Sequence, residues 1–259
     1  MLEGKTALIT GSLDGIGYAI AEALADKGCA VMLNGFGDAA LVEARVATLR
    51  KRGVKADYHG ADISDATEIE AIVKATQSRL GPVDILVNNA VTRHNAAVEE
   101  LPVDKWNYAL AVNLSAPFHL IRLTMAGMKR RRWGRIINLA SAYGLIGTAN
   151  RSDYVTTKHG LVGLTRVVAL EGAPFNVTCN ALCPALVGTP NTRKLVAERQ
   201  AARGLSAEEA EAELLDGRQA TGRMVMPKKV GALATFLCSE DAADMTGTPI
   251  PIDGAWLSR

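Results

Sequence analysis

The stretch Thr10-Gly11-Ser12-Leu13-Asp14-Gly15-Ile16-Gly17 follows a short apolar run and opens a segment of helical periodicity. Glycines in this context permit a tight turn and let backbone N–H groups approach a pyrophosphate at the positive end of a helix. Glycines alone are weak evidence, because turns also need them for steric reasons. The position of this stretch between a strand and a helix is what favours a dinucleotide-binding loop. The residues assigned to cofactor binding here are Gly11, Leu13, Asp14, Gly15, Ile16 and Gly17.

Short apolar and β-branched runs alternate along the chain with longer segments of helical periodicity. This alternation is typical of βα units around a parallel sheet. Most runs are apolar on both faces, as suits a sheet covered by helices on each side. The sequence therefore predicts an α/β fold, a single-domain Rossmann-type doubly wound parallel sheet with helices on both faces. The predicted strands are Thr6–Thr10, Ala30–Asn34, Lys55–His59, Ile85–Asn88, Arg135–Leu139, Val177–Leu182 and Pro249–Ile252.

The predicted domain spans residues 1–259, with a cofactor half at about 1–112 and a catalytic and substrate half at about 113–259. The segment 187–226 departs from the alternation, because arginine, glutamate and alanine dominate it and it contains no predicted strand. It is also too long for an ordinary connection. We interpret 187–226 as a helical flap over the active site.

The composition restricts the partners of the chain. With 259 residues, 48% of them hydrophobic, it can bury one substantial core. The net charge of +2 provides no global field for nucleic acid or an anionic membrane. The basic cluster 128–133 could contact RNA through Trp133, but its place at a predicted helix end favours stabilisation of the helix dipole. No stretch has the length of a membrane span or a signal-peptide core, so we expect a cytoplasmic protein without membrane or nucleic-acid partners.

The four cysteines are scattered along the chain, and none forms a CxxC pair or lies beside histidines at metal-ligand spacing. We interpret them as buried thiols in a reducing compartment. The sequence therefore predicts no metal site.

The segment Asp153-Tyr154-Val155-Thr156-Thr157-Lys158 begins a predicted helix, so Tyr154 and Lys158 share one face, one turn apart. A nearby ammonium favours the phenolate and lowers the tyrosine pKa from about 10. Ser141 follows the strand Arg135–Leu139, outside the carboxyl end of the sheet, where open α/β folds bind ligands. This combination predicts Tyr154 as a general base, with Ser141 orienting the reacting oxygen, although Tyr-x-x-x-Lys spacing also arises on helices without this function.

Together with Asn88-Asn89-Ala90 and Asn113, the loop and this helix resemble the short-chain dehydrogenase/reductase family, in the same order and over almost the whole chain. The resemblance implies that Lys158 holds the nicotinamide ribose and tunes the Tyr154 base. It implies also that Asn113 supports a water-mediated proton path. The catalytic set is therefore Asn113, Ser141, Tyr154 and Lys158.

The resemblance also places further residues at the cofactor. Asn89 and Ala90 line it, and the segment from Pro184 to Thr189, including Val187, closes over the nicotinamide. The chain departs from the family at Val91, where glycine is usual, and a side chain there could narrow this wall of the site.

Preference between NAD and NADP is usually set where the second strand ends. That position is Asn34, followed by Gly35-Phe36-Gly37-Asp38, so the usual acidic ribose partner is missing and no basic residue is nearby. We therefore expect NAD rather than NADP, with Phe36, Asp62 and Ile63 around the adenosine. Asp62 fits a helix cap equally well.

Within the family, the chain is most similar to bacterial D-3-hydroxybutyrate dehydrogenases, through stretches that include 33–40, 134–138 and 253–256. In those enzymes a glutamine, a histidine and a lysine help to hold the substrate carboxylate. The matching positions here are Arg93, Tyr143 and Arg151. Two flap positions that carry tryptophan and glutamine in those enzymes are Leu186 and Leu195, and Trp256 matches outright.

Arg93 and Arg151 predict an anionic substrate, because a guanidinium fork suits a carboxylate, phosphate or sulfonate. The alternative is that both are solvated surface arginines. His94, beside Arg93, is interpreted as a rim residue. The residues assigned to substrate binding are Arg93, Tyr143, Arg151, Leu186 and Trp256.

The sequence thus predicts NAD-dependent hydride transfer to or from a small 3-hydroxy acid similar to 3-hydroxybutyrate. A second hypothesis is a dehydrogenase or reductase for another polar substrate, such as a sugar, a polyol or a sulfonated alcohol. A third is a cofactor-binding regulator without chemistry, which the complete catalytic set disfavours. Because family members are commonly tetramers, we also expect a homotetramer, joined through the long helices before and after the strand Arg135–Leu139.

Overall fold

The computed structural model describes residues 2–258, and a parallel sheet of seven strands forms its centre. The strands are β1 (Thr6–Ile9), β2 (Ala30–Asn34), β3 (Ala56–His59), β4 (Ile85–Asn88), β5 (Gly134–Leu139), β6 (Val177–Pro184) and β7 (Pro249–Ile252). Their order is β3-β2-β1-β4-β5-β6-β7. All seven predicted strands are confirmed, with ends that differ by at most two residues.

The described residues contain nine α-helices, most of which pack on the two faces of this sheet. They are α1 (Gly15–Ala25), α2 (Ala39–Arg50), α3 (Ala66–Arg79), α4 (Val103–Leu110), α5 (Ala116–Arg131), α6 (Ser152–Gly172), α7 (Pro190–Arg203), α8 (Ala207–Leu215) and α9 (Pro227–Leu237). A π-helical turn, Ala111–Ser115, joins α4 to α5.

Two hydrophobic cores lie on opposite faces of the sheet, because successive strand residues point to opposite sides. Along β1, Ile9 joins the core that includes α1, α2 and α9, whereas Leu8 joins the core that includes α3, α5 and α6. This is the doubly wound α/β fold that the sequence predicts. Because β4 pairs with β5, one sheet runs through both predicted halves of the domain.

The order of the strands reverses between β1 and β4, which are neighbours in the sheet although β2 and β3 come between them in the chain. Connections leave such neighbours in opposite directions and open a crevice at their carboxyl ends. The segments that begin at Thr10 and at Asn89 flank this crevice. The fold therefore places the glycine-rich loop at the expected ligand-binding edge.

The predicted flap contains two helices, α7 and α8, as its composition indicates. They share a small core of their own, made by Val196, Ala210, Leu215 and Met224. A bridge between Val187 and Val225 closes its base. The flap is thus a small packed unit whose base adjoins the carboxyl edge of the sheet. No helix among residues 2–258 is both long and apolar enough to cross a membrane.

Candidate active site

The glycine-rich loop turns sharply because three of its glycines occupy positions that side chains would not tolerate. Gly11 and Gly15 have positive φ angles of +59° and +55°, in the left-handed region that favours glycine. Gly17 has no such angle, but a Cβ there would overlap the Gly11 carbonyl oxygen and lie 2.5 Å from Asn89 Nδ2. The first two glycines therefore permit the turn, and the third permits close packing of the helix against it.

Hydrogen bonds fix this loop to the segment that follows β4. The Thr10 hydroxyl accepts from the backbone N–H groups of Asn89, at 3.0 Å, and Ala90, at 3.1 Å. The Asn89 side-chain amide donates to the carbonyl oxygens of Thr10 and Gly11, at 3.0 and 2.7 Å. The two walls of the crevice are therefore held together directly.

A cleft of about 430 Å³ opens above this crevice. The predicted cofactor residues that line it are Gly11, Asp14, Gly15, Ile16, Phe36, Asp62, Ile63, Asn89, Ala90 and Thr189. Asp14 precedes α1 without making a side-chain cap, so its side chain leaves the first N–H groups of the helix without a capping acceptor. An uncapped helix start beside a long cleft fits the pyrophosphate of a dinucleotide.

Two predicted cofactor residues line neither this cleft nor the smaller cavity described below. The Leu13 side chain is only 5% exposed and belongs to the hydrophobic core beneath the loop. Gly17 is also buried, behind Gly11, for the steric reason given above. Both residues shape the loop, and their predicted contact with the cofactor stays a prediction.

The structure adds lining residues that the sequence analysis missed. They include Thr92, Tyr108, Val112, Pro190 and Asn191. Tyr108 lies near Asp62, and burial together with that carboxylate raises the pKa of Tyr108. For Tyr108 and Val112, the only signal in the sequence is their spacing of four residues, which places both on one helical face.

Asp62 faces this cleft and does not cap α3. Its carboxylate accepts from the N–H of Ser64 at 2.9 Å, while Asp65 caps the helix through Thr67 and Glu68. Of the two interpretations left open by the sequence, the structure therefore supports the one at the cofactor cleft.

A second, smaller cavity of about 120 Å³ continues from the cleft and contains three of the four predicted catalytic residues. It is lined by Ser141, Tyr154 and Lys158, and the predicted residues Arg93, Pro184, Leu186, Val187 and Thr189 also line it. Arg93 and Thr189 line both cavities. The two cavities therefore form one groove that runs from Phe36 to Tyr154.

Lys158 is buried at the inner end of this groove, and its Nζ donates to the Leu139 carbonyl at 2.5 Å. Burial lowers the pKa of Lys158 to about 7; Cys183 opposes this shift, and the positive charge of Arg93 adds to it. A buried amine with a single carbonyl partner among the described residues keeps further donors for a ligand.

Tyr154 is only partly exposed, and burial raises its pKa. A side-chain hydrogen bond with Ser141 and the charges of Arg93 and Arg151 all act in the opposite direction. The predicted effect of Lys158 on this pKa stays a prediction. The Lys158 ammonium lies 5.6 Å from the centre of the Tyr154 ring, and its Nζ donates to a backbone carbonyl.

Asn113 lies in the π-helical turn and is buried behind the groove. Its amide donates to the Thr92 carbonyl at 2.8 Å and to the Thr157 hydroxyl at 3.2 Å, and its oxygen accepts from the Thr92 N–H at 2.9 Å. The side chain therefore ties the wall at Thr92 to the catalytic helix α6. Its predicted part in a proton path stays a prediction.

The predicted substrate residues occupy two positions. Arg93 and Leu186 line the catalytic cavity, whereas Tyr143, Arg151 and Trp256 lie beyond its lining. Tyr143 makes edge-to-face contacts with Tyr154, at 6.5 Å between ring centres, and with Trp256, at 5.1 Å. An aromatic row thus leads outward from the Tyr154 phenol.

A dinucleotide-sized groove that ends at a serine hydroxyl, a phenol and a buried amine defines a class of protein, the nicotinamide-dependent oxidoreductases of Rossmann type. The family model described as short chain dehydrogenase matches residues 5–200. The chain belongs to the short chain dehydrogenase family. It is therefore an oxidoreductase that acts on CH–OH groups and uses a nicotinamide cofactor.

Two curated relatives match over nearly their whole length. The chain is 48% identical to a D-beta-hydroxybutyrate dehydrogenase of Cupriavidus necator, with 100% of both chains covered. It is 42% identical to a D-beta-hydroxybutyrate dehydrogenase of Rhizobium meliloti, with 98% of this chain and 99% of the relative covered. The similarity that the sequence analysis describes is thus confirmed.

Solved structures of similar proteins confirm the fold. L-sorbose reductase from Gluconobacter frateurii, complexed with NADPH and L-sorbose, has a TM-score of 0.95 and 30% identity and covers 100% of this chain and 98% of its own. A variant actinorhodin polyketide ketoreductase with NADPH has a TM-score of 0.89 and 34% identity and covers 97% of each chain.

Proposed function

We propose that this protein transfers hydride between NAD and the carbinol carbon of a small anionic 3-hydroxy acid of the 3-hydroxybutyrate type, with Tyr154 as the general base. The observation that carries the proposal is the groove in which Ser141, Tyr154 and Lys158 stand at the end of a cleft that fits a dinucleotide. The similarity over full length to two D-beta-hydroxybutyrate dehydrogenases supports the choice of substrate.

In this proposal the residues of the cavity have separate tasks. Ser141 donates a hydrogen bond to the substrate oxygen, and Tyr154 removes the hydroxyl proton. Lys158 holds the ribose next to the nicotinamide through the donors that Leu139 leaves unused. When bound, the nicotinamide ring accepts the hydride in oxidation and returns it in reduction.

NAD rather than NADP is favoured by the charges of the cleft. Its adenosine end carries the carboxylates Asp14 and Asp62, and Arg93, at the opposite end, is the single cation among the described lining residues. The Asn34 amide is engaged with the carbonyls of His59 and Ala61, at 3.0 and 2.9 Å. A 2′-phosphate would therefore meet negative charge without a compensating cation.

An anionic substrate is favoured by two arginines without acidic partners. Arg93 and Arg151 make no ion pair with any carboxylate among residues 2–258, yet both act electrostatically on Tyr154. Cations beside a catalytic cavity attract a carboxylate and hold it near the base. The two arginines therefore support a substrate that carries a carboxylate and binds with it near Tyr154.

A different polar substrate, such as a sugar, a polyol or a sulfonated alcohol, is the second candidate. It is favoured by the fold similarity to L-sorbose reductase, whose structure contains NADPH and L-sorbose. A sulfonate would use the same two arginines, whereas a neutral polyol would not need them.

We also propose a cytoplasmic homotetramer. The four cysteines are free and buried, as suits a reducing compartment. The helices α5 and α6 expose Phe118, Val167 and Leu170, which offer apolar surface for contact with a second copy. Light scattering of the purified protein tests the assembly, and a monomer would contradict it.

Tyr154→Phe tests the proposed function. We expect kcat for oxidation of 3-hydroxybutyrate to fall about 10³-fold, because the phenol is the only proposed proton acceptor. The dissociation constant for NADH, measured by fluorescence titration, should change less than about twofold. Retained turnover would refute Tyr154 as the base.

A substrate panel followed by NADH absorbance separates the two candidate substrates. It should include 3-hydroxybutyrate, a sulfonated analogue, a polyol and a neutral secondary alcohol. Preference for the neutral alcohols would contradict the acid proposal and favour the second candidate.

A further inference from the structure

The Asp153 carboxylate is almost completely buried, with 1% of its side chain exposed, and it joins two separate parts of the site. One oxygen accepts from the Tyr154 backbone N–H at 2.7 Å. The other accepts from the His94 backbone N–H at 3.1 Å and lies 2.8 Å from His94 Nδ1. A single carboxylate therefore connects the backbone of the catalytic tyrosine to the loop that carries Arg93.

That loop, residues 92–96, is tied to the rest of the site at each alternate residue. Both backbone groups of Thr92 bond to the Asn113 side chain. Ala96 forms a bridge with Arg151, and its N–H donates to the Asn150 carbonyl at 3.1 Å. His94 supplies the middle tie, and Arg93 lies between the first two ties with its own guanidinium unpartnered in the described residues.

These contacts also constrain the second arginine. Arg151 precedes Asp153 by two residues and is bridged to the same loop through Ala96. The His94 to Asp153 contact closes the other side of this small assembly. The relative placement of the two guanidinium groups and the Tyr154 phenol therefore depends on the loop 92–96, on the first turn of α6 and on the Asp153 carboxylate that joins them.

Burial makes this contact energetically important. A buried carboxylate is costly unless it is paired and hydrogen-bonded, and loss of one partner leaves the remaining charge poorly compensated. If the His94 ring is removed, Asp153 keeps only backbone donors, and the loop at Arg93 loses the single side chain that fastens its centre. None of the catalytic steps above requires His94.

We propose that His94 and Asp153 are a positioning pair for the anionic end of the substrate, which hold Arg93 and Arg151 at the distance from Tyr154 that the substrate requires. This proposal rests on the proposed function, since it assigns the pair to binding of the carboxylate. The pair acts through the two arginines and does not touch the reacting atoms. His94 is therefore a specificity-determining position rather than a rim residue.

The test compares His94→Ala with His94→Asn, whose side-chain amide can still donate to Asp153 from a position similar to that of Nδ1. We expect His94→Ala to raise KM for 3-hydroxybutyrate about tenfold, equivalent to about 1.4 kcal/mol, with kcat changed less than about twofold. His94→Asn should recover KM to within about threefold of the wild-type value. KM for a neutral secondary alcohol and the dissociation constant for NADH should not change in either variant.

A double-mutant cycle with Arg93→Ala shows whether His94 acts through the arginine. We expect His94→Ala to add less than about twofold to KM in the Arg93→Ala background, because the group that it positions is already absent. Additive effects, an equal loss of kcat on acid and neutral alcohol, or no recovery in His94→Asn would overturn the positioning pair. A wild-type enzyme that oxidises no anionic alcohol would overturn the proposed function itself, and the assignment of the pair with it.

Discussion

The cofactor cleft and the substrate end of the groove are built in different ways. The cleft depends on backbone shape, since Gly11, Gly15 and Gly17 bring the chain against Asn89 with no room for side chains. The substrate end depends on side chains from separate segments, such as Arg93 and Trp256. A backbone-built region accepts few substitutions, whereas a side-chain-built region changes its ligand through single replacements.

Among the substitutions that compare the two regions, Gly17→Ala should have the largest effect, because it adds one methyl group to the backbone-built region. Overlap with the Gly11 carbonyl costs about 1–3 kcal/mol. We expect NADH affinity to fall about 10- to 100-fold, measured by fluorescence titration, with a lower melting temperature. Gly147→Ala is the control, because a Cβ there meets nothing within 4 Å. Unchanged affinity in Gly17→Ala would contradict the importance of backbone shape.

Phe36→Arg tests whether the adenosine end of the cleft can be altered by one side chain. Phe36 is 71% exposed at the edge of the cleft, so an arginine there can reach a 2′-phosphate. We expect the affinity for NADPH to rise about tenfold relative to NADH, as one charge-assisted contact would give. Phe36→Leu serves as the uncharged control. An unchanged ratio would show that preference for NAD is set elsewhere in the cleft.

Arg93→Met tests the electrostatics of the side-chain-built region, and its effect on kcat should be smaller than the two changes in cofactor affinity described above. Among the groups that shift the pKa of Tyr154, burial and Tyr143 raise it, whereas Ser141, Arg93 and Arg151 lower it. Loss of the Arg93 charge therefore raises this pKa further. Because oxidation requires the deprotonated phenol, the rising limb of kcat against pH should move to higher pH.

The expected loss of kcat at neutral pH is at most about fivefold, since Arg93 is exposed and its charge is screened by solvent and salt. Arg166→Met is the control: it removes an equal positive charge that lies about three turns along α6 from Tyr154. This variant should leave the pH profile of kcat unchanged. A shift to lower pH in Arg93→Met would contradict the assignment.

The sequence predicted the backbone-built region well because its physics is local. Glycine spacing and strand-to-helix order determine the loop, so Gly11, Asp14, Gly15 and Ile16 line the cleft as expected. The burial of the Leu13 side chain was not predicted, because periodicity did not show that this side chain turns into the core.

The other region was harder to predict because its contacts join distant segments. Nothing near Tyr143 in the sequence indicates that its ring packs between Tyr154 and Trp256. His94 was interpreted as a rim residue because its partner, Asp153, is 59 positions away in the chain. Burial, which sets the direction of the Tyr154 pKa, likewise depends on the whole fold.

The π-helical turn that carries Asn113 makes this part of the chain sensitive to the deletion of a single residue. Such a turn holds one residue more than a regular helix requires, so a one-residue deletion there would leave α4 and α5 as an unbroken α-helix. That shortening would rotate one side of the helix by about 100° relative to the other and separate Asn113 from Thr92 and Thr157. A shortened protein would thus retain its helical content while α6 lost its link to the opposite wall.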